Sequence, residues 1–332
     1  MMKKVVFAIS CILIVTSSCR KNDDDVEVEI PDFNFQQTLS FKTSLSAYGI
    51  FDGTPADLLP SEDFELLELS SALFTDYAHK QRLIKIPEGT SITKSGDGSL
   101  DFPDGTILTK TFFYFNDERD TSLGKRIIET RLEIKESGTW NIATYLWNES
   151  QTDATLKLDG QDTPVSWINS QGNNRSTLYH VPTQNECMTC HQSNSTMSPI
   201  GPTLLNLNRT VKRDSIELNQ LTHLQSIGLM EQFSITDISQ MVDYNDKNAS
   251  LSDRGRAYLA INCAHCHNPQ AWDVPAEKDF DFRHEIPFEL TGIQTGKDKL
   301  SRNVLNQEMP FIGTTMMDEE GVDLLIEYLN SL

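Results

Sequence analysis

The stretch NECMTCHQ, residues 185–192, puts Cys187, Cys190 and His191 within five residues of one another. Three chemistries use such a set: a zinc site, a thiol–disulfide pair, or the covalent attachment of a haem. The string recurs once, as CAHCH at residues 263–267. With six cysteines and seven histidines in 332 residues, chance supplies only about 0.002 such strings. The repetition is therefore no accident.

A zinc ligand set built on an adjacent Cys and His is sterically awkward. A thioredoxin-like pair lacks its βαβ context and leaves the histidine without a role. On a helical turn, positions i, i+3 and i+4 share one face. Two thiols there can reach the two vinyl groups of a porphyrin, and the histidine below the ring can reach the iron. The residues point to two covalently bound haem c groups. Cys187 and Cys190 hold the first with His191 as proximal ligand, and Cys263 and Cys266 hold the second with His267. His265, at a variable position inside the motif, reads as a surface residue.

The two other cysteines, Cys11 and Cys19, lie in MMKKVVFAISCILIVTSSC at the start of the chain. Lys3 and Lys4 form a basic end, and the apolar run 5–15 suits a signal core but is too short to span a bilayer. Thr16, Ser17 and Ser18 lead into Cys19 with no competing Ala-x-Ala site, which resembles the lipobox of bacterial lipoproteins. That resemblance implies lipidation at Cys19 and a chain exported and anchored to the outer membrane, on its periplasmic or surface face. RKNDDDVEVEI then reads as a solvated acidic tether. No cysteine is left for a structural disulfide. The net charge of −20 argues against nucleic acid, whose phosphates it repels. It favours basic redox partners, such as cytochromes or oxidoreductases.

Between the tether and the first motif the pattern is that of strands. FPDGTILTKTFFYF opens on a turn and runs into β-branched and aromatic residues. In RIIETRLEIKESGTWNIATYLW, residues 126–147, Ile128, Thr130, Leu132 and Ile134 alternate with charged residues. Glu136-Ser137-Gly138-Thr139 supplies a turn, and Trp140, Ile142, Thr144 and Leu146 continue the period of two. Trp140, Trp147 and Trp167 read as parts of a core. Beyond Cys187 the text turns to loops and short helices, at Thr203 to Asn208 and Leu218 to Met230. A helix starting at Ser252 or Asp253 runs up to Cys263. A last helix is capped by Asp318 and carries Val322, Leu325, Ile326 and Leu329 at helical spacing.

Residues 252–332 resemble a class I cytochrome c module: the helix with Gly255, Tyr258 and Leu259, the motif CAHCH, NQEMP at 306–310, and the amphipathic C-terminal helix. The resemblance implies Met309 as distal ligand of the second iron, and a His/Met pair suits electron transfer. The wider chain resembles a group of dihaem c-type cytochromes through YGIFDGTPADLLP, LFTDYAHKQRLIKIP, FPDGTILTKTF, PIGPTLLNLNR and LNQLTH. That group implies an architecture and a cofactor without a settled substrate. The fold class expected is α+β and multi-domain, an antiparallel β-rich N-terminal domain followed by a mainly α-helical cytochrome c-like dihaem region. Its divisions are a signal peptide at 1–18, the tether at 19–36, the β-rich domain at 37–184, the first haem module at 185–250 and the second at 251–332.

The distal ligand of the first iron has several readings. His223 comes first, as the histidine of LNQLTH. Met230, seven residues on, can share its helix face. Met241 or an open position follows, while Met197 is too near His191 in sequence. Arg209 and Arg302 are candidates for haem propionates. The leading function is a lipid-anchored carrier of single electrons between redox partners outside the cytoplasm, rather than an enzyme. The alternatives are a haem enzyme, peroxidase-like or acting on another small molecule, with an open first haem, and a surface binding module with accessory haems.

Overall fold

Glu136 pairs with Thr139, and between them Ser137 and Gly138 hold φ angles of 53° and 76°. Two left-handed residues are what a two-residue hairpin turn requires. The hairpin they close supplies the fourth and fifth strands of a six-stranded sheet. The structure, a computed structural model, describes residues 38–95, 99–193, 196–271 and 279–332. The signal core, the lipidation residue Cys19 and the acidic tether lie outside the described residues. Those described all fall within one unit, Asp32–Leu332.

The strands are β1 (Glu65–Leu66), β2 (His79–Lys85), β3 (Thr93–Lys94), β4 (Leu100–Asp101), β5 (Ile107–Phe115), β6 (Lys125–Glu136), β7 (Thr139–Trp147) and β8 (Ala154–Leu156). β9 (Asp159–Ile168) and β10 (Asn174–Thr183) form a long ribbon, and the short pairs β11 (Gln192–Ser193) with β12 (Thr196–Met197) and β13 (Thr210–Arg213) with β14 (Ile216–Asn219) follow. The helices are α1 (Gln184–His191), α2 (Leu204–Leu207), α3 (Gln220–Ser226), α4 (Leu251–Asn262), α5 (Ile293–Leu305) and α6 (Glu319–Asn330). Helices take 24% and antiparallel sheets 30% of the chain, so the class is α+β. The main sheet runs β1-β2-β5-β6-β7-β8, antiparallel throughout.

The two faces of this sheet serve different cores. One packs Leu83, Leu132, Ala143, Tyr145 and Trp147 against Leu45, Ile50, Leu58 and Phe64. The other presents Ile84, Leu108, Ile142 and Trp140 to the apolar side of α1, α2 and α3. On that second side the β9–β10 ribbon adds Val165, Trp167 and Tyr179 around Phe112 and Tyr114. The three tryptophans thus belong to three clusters rather than one. Trp140 and Trp147 are an odd number of residues apart on β7, and a strand sends them to opposite faces.

In the C-terminal part, α4 and α6 cross where glycine meets tyrosine twice. A Cβ on Gly255 would lie 2.3 Å from Cγ of Tyr328, and one on Gly321 would lie 2.3 Å from Cε2 of Tyr258. The reciprocal pairs let the helix axes approach. α4 begins earlier than expected, because Ser250 is the N-cap and accepts from Asp253 N at 3.1 Å. Asp318 caps α6 as its sequence indicates, accepting from Gly321 N. The helix expected over Leu218 to Met230 is shorter: β14 takes its start, and α3 ends at Ser226. Gly228, at φ 79°, then turns the chain away.

Candidate functional site

The second motif is an extension of α4. Cys263 N donates to Leu259 O at 3.0 Å, Cys266 N to Cys263 O at 3.1 Å and His267 N to Cys263 O at 2.9 Å. The continued turn keeps the two thiols and the imidazole on one side. They border a cavity of about 850 Å³, which Met309 also lines, together with Tyr258, Leu300 and Val304. The His267 ring packs 5.2 Å from Phe282 and 6.1 Å from Phe280, and those two rings stack at 5.0 Å. Phe282 N donates to His267 O at 3.0 Å. Arg256 Nη2 donates to the carbonyls of Arg283, His284 and Ile286, pinning the segment that carries both phenylalanines. Burial pushes the Cys263 thiol up to about 12.

The loop after Met309 is tied to the β sheet through Asp76, which is 2% exposed. Its carboxylate accepts from Thr315 N at 2.8 Å, Met316 N at 2.9 Å and the Thr315 hydroxyl at 2.8 Å. Burial raises its pKa against the lowering effect of these bonds. Sequence reasoning had no access to Asp76, because its partners are 239 and 240 residues away.

The first motif is mounted differently. β10 runs directly into α1, whose start is a capping box: Thr183 Oγ1 accepts from Glu186 N, and Glu186 Oε2 accepts from Thr183 N at 2.7 Å. His180 bridges Asp162 at 2.6 Å and Glu186 at 3.1 Å. Cys187 is 6% exposed and packs with Met188, Met197, Leu204 and Met230 in an apolar cluster. Burial pushes its thiol up to about 12, with Arg131 opposing. His191 is 7% exposed, and its Nδ1 lies 3.0 Å from Ser198 O and 3.8 Å from Glu133 Oε1. Since the carbonyl only accepts, Nδ1 carries the proton and Nε2 keeps its lone pair for a metal. Burial, reinforced by Lys110, pushes His191 down to about 3, so the ring is neutral.

The two motifs meet. Ligand atoms of Cys190, His265 and Cys266 all lie within 4.8 Å of one another. Cys190 hydrogen-bonds Cys266 and His265, and these contacts hold it well below the usual thiol range. The same bond to Cys190 pushes Cys266 up. Cys190 is also part of the wall of the 850 Å³ cavity. His265 is half-buried, with Nδ1 out of solvent and without a hydrogen-bond partner. It is therefore not the surface residue its motif position indicates. Chemically, the trio supplies three of the four ligands of a Cys₂His zinc site.

The residues that the sequence offers as distal ligands for the first motif are spread out. His223 Nε2 lies 3.1 Å from Glu65 Oε1, a carboxylate that Arg213 also holds at 2.9 Å. Met230 is 2% exposed in the cluster around Cys187, bridged to Ile92, and no longer on a helix with His223. Met241 packs in the separate helical core with Tyr244 and Tyr258. Met197 pairs with Gln192 across β11 and β12 and faces the first cluster. Of the two propionate candidates, Arg209 donates to Leu69 O, and Arg302 is exposed.

The second motif fits a haem in both donors and space. The thiols, His267 and Met309 share a cavity within the usual 300–1,000 Å³ range of ligand sites. At the first motif the donors are the right kind, but Cys187 is packed in the apolar cluster and only Cys190 reaches the 850 Å³ cavity. A separate cavity, bordered by Arg131 and Glu133, holds about 30 Å³, enough for about two waters. Among the described residues no helix is long and apolar enough to cross a membrane. The chain matches no family model, no curated protein and no solved structure.

Proposed function

We propose that this chain is a c-type cytochrome that carries single electrons between redox partners outside the cytoplasm. The observation that carries the reading is the cavity shared by Cys263, Cys266, His267 and Met309, with Cys190 of the other motif in its wall. A haem c bound there supplies reversible one-electron chemistry. His267 and Met309 would hold its iron, and Phe280 and Phe282 pack against the imidazole. Asp76 positions the methionine loop, and the apolar walls exclude water. A filled sixth position favours transfer over catalysis.

In the same reading Cys187, Cys190 and His191 hold a second haem. Its attachment requires Cys187 to leave the apolar cluster. Contact between Cys190 and Cys266 supports a short path between the two groups. His223 has to release Glu65 to act as its distal ligand, with Met230 the nearer alternative to the thiol cluster. The multi-domain division at 184/185 and 250/251, the lipid anchor at Cys19 and basic redox partners belong to this reading as well.

One specific observation favours a second reading, in which Cys190, His265 and Cys266 hold zinc. Expression with a c-type haem maturation system, followed by mass spectrometry and metal analysis, separates the two. Two haem adducts per chain with no zinc support the cytochrome. Zinc in equal amount with no adduct rejects it. Magnetic circular dichroism then reports the ligand sets, and a high-spin first haem converts the carrier into the enzyme alternative.

A further inference from the structure

Three cations stand in register across neighbouring strands of the main sheet. Arg82 on β2 is opposite Lys110 on β5, and Lys110 is opposite Arg131 on β6. Like charges facing each other across strands repel, and these do not point to open water. Arg131 is 17% exposed, and Arg82 and Lys110 are half-buried. The fully buried Phe112 ring sits among them, 4.5 Å from Cζ of Arg131, 5.5 Å from Nζ of Lys110 and 5.8 Å from Nζ of Lys80.

The carboxylates nearby do not balance this group. Glu129 is committed: it takes Arg131 in two bonds, at 3.0 and 2.5 Å, and accepts from the Tyr179 hydroxyl at 2.6 Å. Glu133 lies by His191 at 3.8 Å, and its Oε2 is buried without a hydrogen-bond partner. Arg82 Nη2 is likewise buried and unpartnered. Lys110 makes no hydrogen bond or ion pair among the described residues, and burial pushes it down to about 7. Partly desolvated cations with unmet hydrogen bonds are costly, and a bound anion lowers that cost.

A space for one is present. Arg82, Lys110, Arg131 and Glu133 border the cavity of about 30 Å³, and Ile200 and Pro202, from the loop that follows the first motif, close it. Its size accommodates about two water-sized groups, which matches the two oxygens of one carboxylate. A guanidinium fork and an ammonium beside it are suited to that group.

We propose that the Arg82–Lys110–Arg131 row is an anion site that takes a carboxylate group between the first motif and the sheet. The carboxylate has two sources. It comes from a small free carboxylate, or from a propionate of the haem attached at Cys187 and Cys190. Only the second source rests on the cytochrome reading.

The test is calorimetric titration of the full, matured chain with sodium formate in chloride-free buffer, with haem content counted by mass spectrometry. A free-carboxylate site binds formate saturably in the unaltered chain, and R82Q and K110M each weaken that binding at least tenfold. A propionate-filled site leaves the unaltered chain silent, while the C187S/C190S chain binds formate and loses the binding when K110M is added. No binding in either chain overturns the proposal, as does binding that ignores both R82Q and K110M. Thermal melts establish that each variant is folded, and K110M alone decides if R82Q is not. An unaltered chain that carries no haem at the first motif yet binds formate refutes the two-haem reading and leaves the anion site standing.

Discussion

The two Cys-x-x-Cys-His segments are the same five-residue device in two settings. The second continues α4 and opens onto a cavity of about 850 Å³ with a methionine in its wall. The first follows a strand ribbon and buries Cys187 among methionines and leucines, and of its donors only Cys190 reaches that cavity. At the second motif one helical turn brings both thiols and the imidazole to the cavity, whereas Cys187 and Cys190 of the first face different surroundings. Whether a cofactor-sized space lies in front of a motif depends on chain tens of residues away, here mostly the segments 279–282 and 300–325.

The strongest way to break this comparison is to remove the thiols. Replacing Cys263 and Cys266 by alanine abolishes haem on the second motif and leaves any adduct on Cys187 and Cys190, as peptide mass mapping reads directly. Equal loss from both motifs would mean that the sites are not separately built. Next in size is Met309→Leu, which on the proposed cytochrome reading keeps the haem and lowers the reduction potential of the second site, since methionine ligation raises it. With His223 held on Glu65, His223→Leu leaves the spectrum of any bound haem unchanged and costs about 1 kcal/mol through the lost contact. A spectrum altered by His223→Leu reverses the assignment of its side chain to Glu65.

Packing changes come third. Gly255→Val sets a branched side chain against Tyr328 and destabilises the helical region by about 3 kcal/mol, the upper part of the overpacking range, measured by denaturant unfolding. Asp76→Ala leaves the amides of Thr315 and Met316 short of their acceptor and costs about 2 kcal/mol. It also loosens the Met309 loop, so hydrogen exchange rises at residues 313–317 and not around α1. The smallest effect is the pH response of the α1 cap. Burial opposes protonation of His180, but Asp162 and Glu186 outweigh it and raise its pKa above the ordinary value. A raised folded pKa means a contribution complete below about pH 6.5 and lost as pH climbs through the folded value. The ring is 37% exposed, so after solvent screening the loss stays below about 1 kcal/mol. His180→Gln removes this pH dependence in thermal melts.

Local patterns in the sequence were enough for the long hairpin, its two-residue turn and the Asp318 cap. Each depends on neighbours within a few residues, where strand and helix periods act directly. The sorting of Trp140, Trp147 and Trp167 into three cores was legible only in part. Period two sends the first two to opposite faces, but what covers each face is not local information. The extent of α3 was misread because the apolar residues after Ser226 keep a helical rhythm, while Gly228 ends the helix and Met230 is claimed by Ile92.

By itself the sequence determined the chemistry available here: two thiol pairs with adjacent imidazoles, a methionine further along the chain, and main-sheet strands that precede the helices. The tertiary structure alone decided that Cys190 meets Cys266 and His265, that Asp76 holds the methionine loop, and that Arg82, Lys110 and Arg131 line up beneath the first motif. These contacts join residues far apart in the chain. Their existence depends on sheet register and helix crossing, which no local pattern encodes.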